Sequence, residues 1–145
     1  WQISSAFKAP RHRVASQLRS LDSIEHEILR PQFRDPRVHM ALVCAARSCP
    51  PLRAEPFLAS RLGAQLDDQT RIFLADRVHG LQWDPSRKRV DISSIFKWFS
   101  EDFAAPSGAR EFIARYVKGS DLASAIRDRA NKIGYLDYDW TLNER

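Results

Sequence analysis

The sequence predicts an α+β protein in which several short helices pack around a small mixed sheet. Two observations carry this prediction: apolar residues recur at helical spacing in several stretches, and shorter apolar stretches bounded by turn residues lie between them. A chain of 145 residues can build one hydrophobic core without metals or several disulfides. We therefore expect a single globular domain over residues 1–145.

The first clear element is a helix over residues 20–30. Ser20 is suited to accept a hydrogen bond from the first turn. Pro31 predicts the end of the helix, because the residue before a proline avoids the helical conformation. The apolar face carries Leu21, Ile24 and Ile28. Upstream, around Pro10, we expect an irregular chain.

The next element, residues 38–43, is predicted to be a buried strand. It is short and apolar, and it follows the dipeptide Asp35-Pro36, which is typical of a boundary between elements. Because side chains alternate along a strand, His39 would lie on the face opposite Met40.

Residues 57–74 are predicted to be helical, in one helix or in two, and to contribute mostly to the core. Their apolar residues recur at intervals of three and four: Phe57, Leu58, Leu62, Leu66, Phe73 and Leu74. A β-hairpin is expected for residues 81–92, because the polar segment 84–88 contains a proline and favours a turn between two apolar segments.

Three further helices are predicted from capping serines, which are Ser93 or Ser94, then Ser107, then Ser120. The first carries an aromatic stripe that we interpret as core packing: Ile95, Phe96, Phe99 and Phe103. The second buries Phe112, Ile113, Tyr116 and Val117. The third buries Leu122, Ile126 and Ala130.

A last strand is predicted for residues 135–140, where the pattern changes to a period of two. Asp137 and Asp139 would share one face of this strand.

The formal net charge of +5 raises the question of nucleic-acid binding. The 23 Lys and Arg residues are mixed with 18 Asp and Glu along the chain, without a one-sided basic stripe, so we expect no specific nucleic-acid partner. No apolar stretch approaches the roughly 18 residues that a membrane span needs. The chain opens with Trp1 instead of a methionine, and we therefore expect a fragment or a processed form.

Both cysteines, Cys44 and Cys49, lie in one segment that runs from apolar residues into a double proline. Four interpretations stay open: a metal site, a disulfide, a buried apolar residue and a nucleophile. A zinc site would need further ligands at a recognisable spacing, and the four histidines do not supply them, so no metal or cofactor is predicted. A disulfide across this separation is sterically feasible, and export to an extracellular or cell-envelope location would favour it.

Cys49 has the more reactive setting of the two, since Arg47 and Arg53 flank it and positive charge favours a thiolate. Such a nucleophile needs a base, and His39 and His26 are the candidates. An acid that orients the base would come from Asp137 or Asp139. Glu25, next to His26, completes the candidate catalytic residues, and the same cluster also fits an ordinary helix surface.

Several segments resemble the family that carries domain of unknown function 547. They are residues 20–30, 35–44, 48–52, 95–103 and 133–140, so the resemblance extends over about residues 14–142. It implies no agreed biochemical activity. It does imply that Glu25, His26, Arg30, His39, Cys44, Cys49 and Pro50 matter, because they fall in the strongest motifs.

The family usually carries glycine where this chain has Glu27 and Ala45. Family members also have an aromatic-asparagine-tyrosine segment upstream of Trp1, so this chain is expected to be the C-terminal portion of the family domain.

Two function hypotheses follow. In the first, the protein is a thiol-dependent enzyme, either a papain-like hydrolase or a thiol transferase acting on a peptide or a small thiol, with Arg30, Arg47, Arg53, Asp137 and Asp139 as candidate substrate-binding residues. In the second, it is a non-catalytic interaction or structural domain whose cysteines are buried or linked in a disulfide. The sequence predicts no oligomeric state.

Overall fold

The computed structural model describes residues 3–104 and 108–144. The chain divides into two compact units at the bond between Val38 and His39. The described helices and strands confirm the α+β class, with a two-stranded sheet in the first unit and a three-stranded sheet in the second. Within the described ranges, no helix has both the length and the apolar character that a membrane crossing requires. A single domain over residues 1–145 stays a prediction.

The first unit opens with structure where the sequence predicted an irregular chain. Helix α1 (Ile3–Lys8) is followed by strands β1 (His12–Val14) and β2 (Gln17–Arg19), which pair in antiparallel register. The turn between the strands is formed by Ala15 and Ser16, both with positive φ (47° and 68°). Two-residue hairpins of this kind usually carry Asn or Gly at these positions, so the sequence gives no warning of the turn.

The cap at Ser20 is confirmed. The amide of Ser23 donates to Ser20 Oγ (3.0 Å), and the amide of Ser20 donates to Ser23 Oγ (3.2 Å), which is a reciprocal capping box. Helix α2 (Leu21–Ser23) continues directly into a π-helix, Ile24–Phe33.

Pro31 does not end this helical segment, which runs on to Phe33. Pro31 has no amide hydrogen to donate to the preceding turn. A side chain adds one bond nearby, since the carbonyl of Glu27 accepts a hydrogen bond from Gln32 Nε2 (3.2 Å). The segment stops at Arg34, which has the left-handed conformation (φ 51°) that often closes a helix.

The predicted strand 38–43 is wrong. Residues Val38–Ala41 form a short helix, α3, and the chain from Leu42 onward is irregular. The Asp35 side chain accepts a hydrogen bond from the Arg37 amide (3.0 Å), and the Val38 amide donates to the Asp35 carbonyl (3.1 Å). Asp followed by Pro is therefore a helix-start signal here, and a short apolar stretch alone does not distinguish strand from helix.

The second unit is built on helix α4 (Leu62–Ala75) and a sheet with strand order β3-β4-β5. The predicted hairpin is confirmed, since β3 (Leu81–Asp84) and β4 (Arg89–Ile92) are antiparallel. Strand β5 (Lys132–Tyr135) joins β4 in parallel. Helices α5 (Ile95–Trp98), α6 (Gly108–Tyr116) and α7 (Ser120–Arg127) complete the unit.

The core of the second unit contains most of the residues that the patterns predicted. Its buried members include Met40, Phe73, Leu74, Val90, Ile92, Phe96, Phe103, Ile113 and Ile126. Phe99 and Phe112 are half-buried against it. The aromatic stripe is thus core, although α5 ends at Trp98 and Phe103 is delivered by the turns that follow.

Three boundaries differ from the predictions. Helix α4 begins at Leu62, after a 3₁₀ turn (Ala59–Arg61), because the Leu58 amide donates to Gln65 Oε1 (2.8 Å) instead of continuing a helix. Strand β5 ends at Tyr135, where the predicted strand was to begin. Ala130 lies beyond α7 and is exposed. The predicted cap at Ser107 falls outside the described residues.

Candidate functional site

Cys44 and Cys49 form a disulfide, with 6.1 Å between their Cα atoms. Of the four interpretations of the cysteines, the structure agrees with the disulfide. The bridge closes a small loop in which the Cys49 amide donates to the Ala46 carbonyl (3.1 Å). Both cysteines are half-buried.

Ala45 lies inside the loop that the disulfide closes. It has φ 63°, a left-handed conformation that is costly for a residue with a Cβ and open to glycine. The glycine expected here from the resemblance would have a conformational reason, and this chain holds an alanine there at some cost in stability.

Tyr138 lies against the disulfide. Its hydroxyl donates to Cys49 Sγ (3.2 Å) and lies 3.5 Å from Cys44 Sγ. The Cys44 amide donates to the same Cys49 sulfur at 3.0 Å. Burial raises the pKa of Tyr138 to about 12, because the charged phenolate would lose its hydration. The phenol therefore keeps its proton, and remains a donor, throughout the neutral range.

Two tryptophans surround Tyr138. The Trp140 ring centroid lies 4.5 Å and the Trp98 centroid 4.7 Å from that of Tyr138, and the two indoles stack at 5.3 Å. Trp98 is 45% exposed and Trp140 is 61% exposed. We call Trp98, Tyr138 and Trp140 the aromatic cluster; it presents a partly exposed apolar surface beside the disulfide.

The disulfide loop is fastened to the C-terminal segment by backbone hydrogen bonds. The Arg47 amide donates to the Thr141 carbonyl (2.9 Å) and the Asn143 amide to the Ala45 carbonyl (2.8 Å). The side chain of Ser48, which is 1% exposed, accepts from the Asp139 amide (2.9 Å). Within the alternating segment 135–140, Tyr135 and Leu136 thus still bond to Ile92 of the sheet, whereas the chain from Asp139 onward pairs with the disulfide loop.

Asp139 and Asp137 differ in their roles. The Asp139 carboxylate accepts from the Thr141 hydroxyl (2.6 Å) and amide (2.9 Å), and these hydrogen bonds lower its pKa. Asp139 therefore organises the C-terminal segment. Asp137 is exposed.

His39 lies at the start of the second unit and is 3% exposed. Its Nε2 is 2.7 Å from Asp102 Oδ2, and its ring stacks on Phe99 with 4.0 Å between centroids. An imidazole held by a carboxylate has a fixed orientation and tautomer, which is the relation that a catalytic base requires and that a structural histidine also shows.

The remaining predicted residues have other partners. Arg53 hydrogen-bonds Asp68 (2.7 Å) and Glu55 (3.0 Å), and the bond to Asp68 is the main cause of its raised pKa. This pair ties the segment after the disulfide loop to α4. The Arg47 side chain is exposed near Asp139 and helps lower the pKa of that carboxyl.

Glu25, His26 and Arg30 belong to the first unit and lie on the π-helix. His26 Nδ1 is 2.9 Å from Arg30 Nη1, and its Nε2 is 3.8 Å from Asp22 Oδ1. The neighbours Glu25 and His26 therefore sit on a helix surface, where His26 is engaged with side chains one turn away in each direction.

A family model matches residues 1–74 of the chain; its family is described as a protein of unknown function, DUF547. The chain belongs to the DUF547 family. The match includes Glu25, His26, His39 and both cysteines. The segments 95–103 and 133–140 lie beyond the match, so their resemblance to the family stays a prediction. No curated protein and no solved structure matches the chain significantly.

Membership of DUF547 shows which family the chain is related to and assigns no reaction to it. Any chemistry has to be inferred from the residues themselves. Among the described residues, no group of three or more His, Cys, Asp or Glu side chains is placed to hold a metal ion.

Sequence reasoning missed Asp102 and Tyr138 as site residues. Both lie in segments for which the sequence predicted a resemblance to DUF547, and that was the available signal. Neither partner could be assigned, because His39 and Asp102 are separated by 63 positions and Cys49 and Tyr138 by 89.

Proposed function

We propose that this chain is a thiol–disulfide exchange protein, in which Cys44 and Cys49 alternate between a disulfide and a dithiol and act on the thiol of a peptide or a small molecule. The observation that carries the proposal is the convergence of two donors, the Tyr138 hydroxyl and the Cys44 amide, on Cys49 Sγ. Hydrogen bonds to a thiolate favour the charged form and lower the thiol pKa. A sulfur with a low thiol pKa is the better leaving group in exchange.

The exchange would proceed in two displacements. A substrate thiolate attacks Cys44 Sγ, a bond forms between the two sulfurs, and Cys49 departs as a thiolate held by its two donors. A second substrate thiolate then attacks the substrate sulfur of the mixed disulfide and releases Cys44. Two substrate thiols become one disulfide, and the two electrons and two protons they lose reside on the reduced protein. The reverse sequence reduces a substrate disulfide.

A papain-like hydrolase has less support. Its nucleophile would be a free thiol paired with a histidine base. Here both sulfurs share a bond, and His39 Nε2 is hydrogen-bonded to Asp102. That hypothesis therefore requires a reduced form in which the other ring nitrogen of His39, Nδ1, faces a cysteine thiol while Asp102 keeps Nε2.

A structural role for the disulfide is the second candidate, and one observation favours it. The bridged loop holds the C-terminal segment through the hydrogen bonds of Ala45, Arg47 and Ser48. In this interpretation the protein is a non-catalytic interaction domain, and the disulfide only stabilises the loop that anchors its last residues.

The reduction potential separates the two candidates. The native protein is equilibrated in glutathione redox buffers and its free thiols are alkylated. The intact mass of the chain then gives the fraction in which the disulfide was reduced. An exchange protein is expected to have a potential above about −300 mV, whereas structural disulfides typically lie below this value. A bridge that glutathione cannot open would contradict the proposal.

Single-cysteine variants test the assignment within the pair. Cys44→Ser leaves only the Cys49 thiol, and Cys49→Ser leaves only that of Cys44. We expect the Cys49 thiol to be alkylated faster between pH 6 and 7, because its donors favour the thiolate. Equal rates in the two variants would contradict the assignment of Cys49 as the leaving sulfur.

A further inference from the structure

A groove of about 730 Å³ opens on the second unit, away from the residues of the disulfide and the aromatic cluster. It lies between α4, β3 and the turn that joins α6 to α7. Its volume falls within the roughly 300–1,000 Å³ of small-molecule sites. Neither the sequence motifs nor the proposed exchange chemistry accounts for it.

The base of the groove is apolar. Leu74 and Leu81 are each 4% exposed, and Leu122 and the half-buried ring of Trp83 complete this surface. A flat apolar group placed here would remove both its own surface and the Trp83 face from water, which favours binding.

The rim is cationic. Arg71, Arg77 and Lys118 line it, against the single carboxylate of Asp121. Arg71 is partly engaged, since it lies 3.8 Å from Asp67 and over the Tyr116 ring at 5.6 Å. Asp121 accepts a hydrogen bond from Ser120 (3.2 Å).

Arg77 and Lys118 differ from Arg71 in their ion pairing. Both are exposed, and within residues 3–104 and 108–144 neither side chain forms an ion pair with a carboxylate. Other arginines of the second unit do form such pairs, as in Arg53 with Asp68 and Arg127 with Glu111. Two cations without a protein counter-ion at the mouth of an apolar groove are complementary to an anion.

We propose that this groove binds an amphipathic anion: a carboxylate or phosphate headgroup carried on a flat apolar body. The headgroup would be held by Arg77 and Lys118, and the body would lie on Trp83 and Leu122. The proposal is independent of the chemistry of Cys44 and Cys49, so either can fail without the other.

Calorimetric titration of the oxidised protein at low salt tests this proposal with three probes of one shape. They are 2-naphthoate, 2-naphthyl phosphate and neutral 2-naphthamide. We expect both anions to bind with dissociation constants below 1 mM and the amide to bind at least tenfold more weakly. The order of the two anions identifies the preferred headgroup.

A double variant, Arg77→Gln with Lys118→Gln, should weaken the anions at least tenfold and leave the amide unchanged. Arg87→Gln with Lys88→Gln is the matched control, because it removes the same charge from the exposed hairpin turn outside the groove. If both double variants weakened anion binding equally, the effect would come from the net charge of the protein, and the proposed site would be wrong. The absence of anion binding up to 1 mM in a folded protein, checked by circular dichroism, would overturn it as well.

Discussion

His39 Nε2 and Asp102 Oδ2 lie 2.7 Å apart, although the two residues are 63 positions apart in the chain. The imidazole is also stacked on Phe99, so both its edge and its face are occupied. This contact ties α3, at the start of the second unit, to the turns that follow α5. It fixes the beginning of the segment that carries the cysteines.

The first prediction concerns this pair. Asp102→Ala should lower the free energy of unfolding by about 1–3 kcal/mol, because a buried polar ring loses a hydrogen-bond partner. Urea denaturation measures the change. Asp137→Ala is the control, since an exposed carboxylate should change stability by no more than about 0.5 kcal/mol. Equal effects of the two substitutions would mean that the His39 contact adds nothing to stability.

The second prediction concerns the donor at Cys49. Tyr138→Phe keeps the ring that packs on Trp98 and Trp140 but removes the hydroxyl. In the reduced protein the Cys49 thiol should then have a higher pKa, and its alkylation at pH 7 should slow by at most about tenfold for each pKa unit, because a thiolate of higher pKa is also more nucleophilic. Tyr135→Phe removes a hydroxyl from β5 and should leave the rate unchanged. Identical rates in both variants would remove Tyr138 from the mechanism.

The third prediction is the ionisation of Tyr138 itself. Its pKa is raised to about 12 by burial, so absorbance at 295 nm should show a late phenolate step that is missing in Tyr138→Phe. The sign for stability follows from the unfolded value of about 10. Above that pH the phenol of the unfolded chain ionises first, which lowers the free energy of the unfolded state relative to the folded one. The contribution of Tyr138 to the free energy of unfolding is therefore complete below pH 10 and is lost as the pH rises through about 12. A step near 10 would show that the phenol is hydrated.

The fourth prediction concerns the disulfide loop. Replacing both Cys44 and Cys49 by alanine should cost about 2 kcal/mol by the loop-entropy argument for a separation of five residues. Hydrogen exchange at the amides of Arg47 and Asn143 should accelerate, since the bridge holds the loop to which they are bonded. Unchanged exchange would show that the C-terminal segment is secured without the bridge.

The fifth prediction concerns Ala45. Ala45→Gly should raise stability by roughly 0.5–1 kcal/mol, because glycine adopts φ 63° without the strain of a Cβ. Ala64→Gly in α4 is the matched control and should be destabilising by up to about 1 kcal/mol. Thermal unfolding of the two variants should therefore shift in opposite directions, and a shift in the same direction would argue against strain at Ala45.

Local signals gave correct predictions where the partner was near in sequence. The Ser20 cap and the β3–β4 hairpin depend on contacts within about a dozen residues, and both were predictable. The aromatic stripe was correctly placed in the core, since burial of Phe96 and Phe103 follows from their apolar surface whatever the helix boundary.

The errors arise where tertiary contacts override local pattern. The segment 38–43 is apolar enough for a strand, yet Asp35 starts a helix there. The predicted strand 135–140 leaves the sheet after Leu136, and Asp139 finds its hydrogen-bond partner in the disulfide loop. The Tyr138 contact with Cys49 could not be predicted, because no local rule relates positions 89 residues apart.

The placement of the aromatic cluster gives the protein an optical reporter of its own redox state. Two of the four tryptophans contact the phenol that touches the disulfide, Trp98 edge-on and Trp140 at a tilt. A disulfide at close range quenches excited indoles by accepting an electron, and a dithiol does so much less. Opening of the bridge should therefore brighten the intrinsic emission, and the kinetics of the two sulfurs can be followed in the unlabelled chain.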